Sequence, residues 1–190
     1  MRELSLHILD IAENSISAGA TRVEIKVKRD ILKDELWISI KDNGKGMAEE
    51  LTKMVTNPFV TTRTSRKVGL GIPMFKQAAE SCKGYLTIHS QLSRGTEILA
   101  KFQNSHINRM PLGNISDTFL SLLLATPNVN WVFSYQVNDE IFIFDDAEVK
   151  EAMEPLHLTD YRVISYLTNT IQNGINEVNQ AVKGEINANN

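Results

Sequence analysis

Between Asp10 and Ala20 the chain reads DIAENSISAGA, and no other stretch limits the fold as much. Asp10, Asn14 and Ala18 recur at intervals of four, so on an α-helix they share one face. Ile8, Ile11, Ala12 and Ser15 fall on the opposite side, where Ile8, Ile11 and Ala12 can pack. Gly19 stands where a left-handed helix cap is commonly needed. The helix predicted over 4–18 therefore buries one side and presents an acid and a carboxamide, one turn apart, on the other. Such a pair can hold a hydrated cation and orient a water. A capping or buried asparagine is the other reading these residues allow on their own.

The rest of the composition narrows the class. A chain of 190 residues has room for one domain with a substantial core plus an appendage. Its 20 basic and 23 acidic residues give a net charge of -3, which argues against general electrostatic binding of nucleic acid. Cys82 is the only cysteine, so no intrachain disulfide forms, and a reducing, cytoplasmic compartment is expected. The start, MRELSLHILD, lacks the pattern of a secretory signal. The longest apolar run, 119–125, is far short of the roughly 20 residues that cross a membrane.

After the first helix, VEIKVK over 23–28 alternates apolar and polar, and a second strand is predicted over 36–40, the two forming an antiparallel pair. The second strand runs into Asp42-Asn43-Gly44-Lys45-Gly46-Met47. Two glycines so placed permit a tight turn and close approach of backbone to a ligand, or a plain surface turn. A short helix is expected over 48–55. NPFVTTRTSRK, 57–67, is irregular, rich in hydroxyls and cationic, which suits either a flap over phosphates or an ordinary solvated loop. From 68 to 81 the chain opens with Gly69 and Gly71 and becomes helical, with Pro73 in the first turn. Backbone amides and the positive end of a helix dipole at such a start receive phosphate. A hairpin follows over 85–90 and 97–102, turned at Ser93-Arg94-Gly95, with Thr96 beginning its second strand.

Composition shifts at residue 105. SHINRMPLG, 105–113, reads as a linker into a small C-terminal α+β region, 105–190. Within it we expect a helix over 117–125 and a hairpin of 131–137 with 141–144. Asp145 and Glu148 resemble a capping box for a helix over 147–154, which Pro155 ends. A long last helix follows, with Thr159 as its cap. Its stripe of Ile164, Leu167, Ile171, Ile175, Val178 and Val182 packs on its own domain or forms a dimer seam. His7 reads as a rim or packing residue, and His89, His106 and His157 have no metal-ligand spacing.

Four signals stand in order: the acid/Asn helix, the strand ending in Asp-x-Gly-x-Gly-Met, the Thr- and Arg-rich flap into Gly-Leu-Gly, and the Gly-Thr-Glu strand. Together they make residues 1–104 resemble the GHKL superfamily, the ATP-binding module of gyrase B subunits, heat-shock chaperones, histidine kinases and mismatch-repair ATPases. ENSISAGATRVEI is closest to the mismatch-repair form of the first motif, and PFVTTRTSRKVGLGI to the histidine-kinase form of the flap. The resemblance implies a two-layer α/β sandwich of the α+β class (the Bergerat-type ATP-binding fold), with helices on one face of a mixed, mostly antiparallel sheet.

By the same resemblance the cofactors are ATP and Mg²⁺. Asn14 would hold the metal, Asp42 would accept from the adenine amine, and Thr96 would support the base beside it. Gly44, Gly46 and Met47 would border the base, and Ala18 would also belong to the nucleotide site. Thr61, Thr62, Gly69, Leu70 and Gly71 would meet the phosphates, with Arg63, Arg66 or Lys67 neutralising charge. Hydrolysing members carry glutamate four residues before the Asn, and here that position is Asp10, shorter by one methylene. The implied functions are a slow ATPase or nucleotide-dependent switch with a protein partner or homodimer, a stand-alone kinase acting on a partner in trans, or a non-catalytic nucleotide-binding module.

Overall fold

The computed structural model describes residues 2–57, 70–152 and 160–188. Helix α1 (Leu4–Ser17) forms where the 3.6-residue pattern predicts it and buries Leu4, Ile8, Ile11 and Ala12. Strands β1 (Arg22–Asp30) and β2 (Glu35–Asp42) make the expected antiparallel pair, with Val23 opposite Asp42. Their alternation sends Val23, Ile25 and Val27, and Leu36, Ile38 and Ile40, into one core. Helices α2 (Glu49–Met54) and α3 (Gly71–Glu80) precede the hairpin of β3 (Tyr85–Gln91) and β4 (Gly95–Gln103). Then come α4 (Ile115–Ala125), β5 (Asn130–Val137), β6 (Glu140–Asp145), α5 (Asp146–Ala152) and α6 (Tyr161–Ala188).

All six strands form one sheet in the order β3-β4-β2-β1-β5-β6. Four pairings are antiparallel and β1 with β5 is parallel, so the sheet is mixed and mostly antiparallel as expected. Helix α1 packs on α3 and α4, α3 on β3 and β4, and α6 on β5 and β6, which gives one helical layer over one sheet. On the uncovered face the Lys101 ammonium lies 5.1 Å from the Trp37 ring centroid, with Tyr85 edge-on to that ring.

The composition shift at residue 105 is not an edge of this sheet. β5 runs beside β1 from Arg22 opposite Asn130 to Arg29 opposite Val137, so Trp131, Phe133 and Tyr135 join the core of the first strands. The segment expected as a linker is tied to the first helix. Leu4 N–H donates to the Pro111 carbonyl (3.0 Å) and Ser5 N–H to that of Leu112 (2.9 Å). These bonds satisfy two of the first-turn donors a helix leaves open.

In α6 the stripe Leu167, Ile171, Ile175, Val178 and Val182 is buried within the chain itself, with Val163 rather than Ile164 as its first buried residue. Gly174 lets the helix lie against the Phe142 ring, since a Cβ there would stand 2.6 Å from the ring's Cγ. Pro155, His157 and Thr159 lie outside the described residues. Among the described residues no helix is long and apolar enough to cross a membrane.

Candidate functional site

Asp42 ends β2 on the core side of the sheet and is 9% exposed. A buried carboxylate must be hydrogen-bonded to persist, and among the described residues three donors meet this one. Gly44 N–H (2.9 Å) and Thr96 N–H (3.2 Å) donate to Oδ1, and Ser15 Oγ–H donates to Oδ2 at 2.8 Å. A carboxylate offers about four acceptor positions, and the donors of the described residues fill three of them, two on Oδ1 and one on Oδ2. Ser15 is 3% exposed, and it brings α1 and the end of β2 together. Sequence reasoning set Ser15 on the packing side and gave it no role. The signal was there, because a hydroxyl on an otherwise apolar helix face needs a partner.

The turn after Asp42 is locked by its surroundings. Asn43 Oδ1 accepts from Thr21 N–H and Arg22 N–H, both at 2.9 Å, and its Nδ2 donates to Thr21 Oγ1. Lys45 N–H donates to the Ala18 carbonyl at 2.9 Å. Gly44 rests on Ala18, and an added Cβ would stand 2.9 Å from that carbonyl oxygen. Gly46 has φ +62° and sits on the β3–β4 turn, where a Cβ would come 2.7 Å from the Gln91 carbonyl carbon. At both glycines the space for a side chain is taken by the protein itself, which fixes the turn without any ligand. Met47 N–H donates to Ser90 Oγ (2.8 Å), and Ser90 Oγ lies 2.8 Å from Thr96 Oγ1. Ser90 is a second residue that the motif reading missed, because its strand alternation gave it no distinguishing pattern. A cleft of about 540 Å³ opens beside Asp42, Ser90 and Thr96, with Thr52 and Lys53 of α2 also in its lining.

Asp10 and Asn14 are both half-buried on α1, while Glu13 is exposed. The Asp10 carboxylate lies against Gly71, the first residue of α3, and Leu70 precedes it at the helix N-terminus, half exposed. The structure therefore brings Asp10 and Asn14, Ala18 and Gly44, Asp42 and Thr96, and Gly71 around one end of the sheet. Thr61, Thr62, Arg63, Arg66, Lys67 and Gly69 lie outside the described residues. His7 is a packing residue: it is 1% exposed, stacks on Phe75 with ring centroids 5.3 Å apart, and neither ring nitrogen has a hydrogen-bond partner among the described residues. Burial, aided by the N-terminal amine, holds its pKa below the ordinary histidine value against the opposing pull of Asp10. Among the described residues no cluster of His, Cys, Asp and Glu forms an all-protein metal cage. A magnesium site sharing its ligands with phosphate needs none, since that ion keeps waters and takes few protein oxygens.

A two-layer α/β sandwich with a buried, hydrogen-bonded carboxylate at a strand end and an acid/amide helix beside it defines an ATPase module of the GHKL class. Residues 2–106 match the family of histidine kinase-, DNA gyrase B- and HSP90-like ATPases, and the chain belongs to that family. It is 32% identical over 102 residues to a putative sensor histidine kinase NtrY-like of Rickettsia conorii, covering 54% of this chain and 17% of that protein. It is 29% identical over 91 residues to sporulation kinase D of Bacillus subtilis, covering 48% and 18%. The chain thus matches less than a fifth of the length of either relative. Among solved structures, the Aquifex aeolicus MutL ATPase domain complexed with ADP superposes with a TM-score of 0.52 at 17% identity, covering 81% of this chain and 68% of that one. The N-terminal domain of a DNA repair protein gives 0.53 at 14% identity, covering 75% and 52%. At these identities the likeness is one of fold, and it spans more of the chain than the family match does.

Proposed function

We propose that this chain binds Mg-ATP at the end of the sheet marked by Asp42 and hydrolyses it slowly, as a nucleotide-dependent switch. The observation that carries the reading is Asp42 itself, a buried carboxylate oriented by three donors of the described residues, which fill three of its four acceptor positions. The adenine amine supplies a further donor. Guanine presents an oxygen at that position, which the carboxylate repels. Asn14 would hold the magnesium ion, whose charge offsets that of the phosphates. Asp10, at the neighbouring turn of α1, accepts a proton from the attacking water as its oxygen bonds to the γ-phosphorus and the bond to ADP breaks. Glu13 points away from that face and takes no part.

Calorimetric titration of ATP with and without Mg²⁺ tests the reading. Asp42→Asn weakens ATP binding at least tenfold, and Asn14→Ala removes the magnesium dependence. Unchanged ATP affinity in both variants overturns the proposal. Phosphate release falls in Asp10→Ala and persists in Glu13→Ala. A second reading, phosphoryl transfer to a partner protein, is favoured by the kinases among the relatives. Label passing from γ-labelled ATP to protein without free phosphate selects it over the first.

A further inference from the structure

We propose that Gly71 is a positioning residue for Asp10, because the side chain missing at 71 is the slot in which the Asp10 carboxylate sits. The inference rests on the ATPase reading for its catalytic consequence, though not for the slot itself. Nothing in the backbone demands glycine at 71. The glycines with positive φ among the described residues are Gly19, Gly46, Gly95 and Gly113, and Gly71 opens a regular helix. The demand is steric. The three heavy atoms nearest to an added Cβ all belong to Asp10: Oδ2 well inside van der Waals contact, Cγ at 2.9 Å and Oδ1 at 3.6 Å.

The two helices cannot easily yield at this point. One turn further along α3, and three residues back along α1, Phe75 stacks on His7, and these rings are 0% and 1% exposed. This buried rung sets the distance between α1 and α3, so the gap at Gly71 is fixed by core packing.

The placement has a chemical consequence. The first N–H groups of α3 carry the positive end of its dipole. A carboxylate in the slot is held at that end, next to the amides that the ATPase reading assigns to phosphate. The family resemblance expects glutamate at position 10. Aspartate is shorter by one methylene, about 1.5 Å. With no Cβ at 71, this shorter acid lies directly against the first residue of α3. A methyl group at 71 turns the carboxylate out while leaving Asp10 in the sequence, and a displacement of about 1 Å can cost on the order of a hundredfold in rate.

The test uses the full chain as Gly71→Ala, Asp10→Ala and the double variant. For each, phosphate release, ATP affinity and melting temperature without nucleotide are measured. Gly71→Ala lowers kcat by about a hundredfold, and the double variant is no slower than Asp10→Ala alone. Melting gives a reading independent of turnover. Alanine is the better helix former, so Gly71→Ala raises the melting temperature when residue 10 is alanine. When residue 10 is aspartate it is less favourable by about 2–4 °C. Multiplying rate losses, or the same melting shift in both backgrounds, overturn the slot. If the wild type neither binds nor hydrolyses ATP, the ATPase reading falls, and the melting comparison still decides whether Gly71 accommodates Asp10.

Discussion

Replacing Ser15 by alanine isolates the hydrogen bond that joins the first helix to the strand-end carboxylate. The bond is 2.8 Å long, between groups 3% and 9% exposed, so little water is at hand to replace it. A hydrogen bond to a charged group contributes about 1.5–3 kcal/mol, and we take about 2 kcal/mol for this one. For a chain of this size that lowers the melting temperature by about 4–8 °C. The carboxylate also loses its orientation. Both remaining donors, Gly44 N–H and Thr96 N–H, meet Oδ1, so the group pivots about that atom and Oδ2 drifts. ATP affinity therefore falls by about tenfold, equivalent to about 1.4 kcal/mol.

The decisive assay is a double-mutant cycle of Ser15→Ala and Asp42→Ala, read by urea unfolding. With Asp42 gone, the Ser15 hydroxyl turns to the Ile11 carbonyl, already 3.5 Å away, and Ser15→Ala becomes nearly neutral. Coupling of at least about 1 kcal/mol is expected. Additive losses would refute the argument, because the two side chains would then act independently.

Three further substitutions test the packing. Gly174→Ala forces a methyl into the Phe142 ring and destabilises by about 1–3 kcal/mol, whereas Gly184→Ala, with nothing within 4 Å, stabilises by up to about 1 kcal/mol; urea midpoints of opposite sign check both. His7 has its pKa depressed by burial, so the unfolded chain takes up a proton at higher pH than the folded one. Its contribution is intact above the ordinary histidine value of about 6.5 and is lost as pH falls from there through the folded pKa. Wild type therefore loses more stability between neutral pH and pH 5 than His7→Phe does, and equal losses in the two proteins would show that His7 is not the group responsible.

The first helix, the β1–β2 pair, the glycine turn and the β3–β4 hairpin were legible because each carries its signal within a few residues: a period of 3.6, a period of 2, or turn chemistry. The place of the C-terminal strands was not. Pairing Arg22 with Asn130 spans 108 residues, and a parallel partner leaves no local trace in either segment. The composition change at 105 falls in the connection between β4 and α4, and β5 beyond it returns to pair with β1. At this end of the sheet, motif spacing singled out Asp42, Thr96 and Asp10, which the fold brings together, and gave no part to Ser15 or Ser90. Their roles depend on which strand ends meet, and no spacing along the chain encodes that.

β1 lies in the interior of the sheet, flanked by β2 and β5. During synthesis its second neighbour emerges 108 residues later, about 5–20 s at ordinary elongation rates. Through that interval one side of a strand reading VEIKV offers unpaired amides and carbonyls to any other nascent chain. The wait belongs to the topology, so slowing translation within residues 105–130 lowers the yield of active protein even though the finished sequence is unchanged.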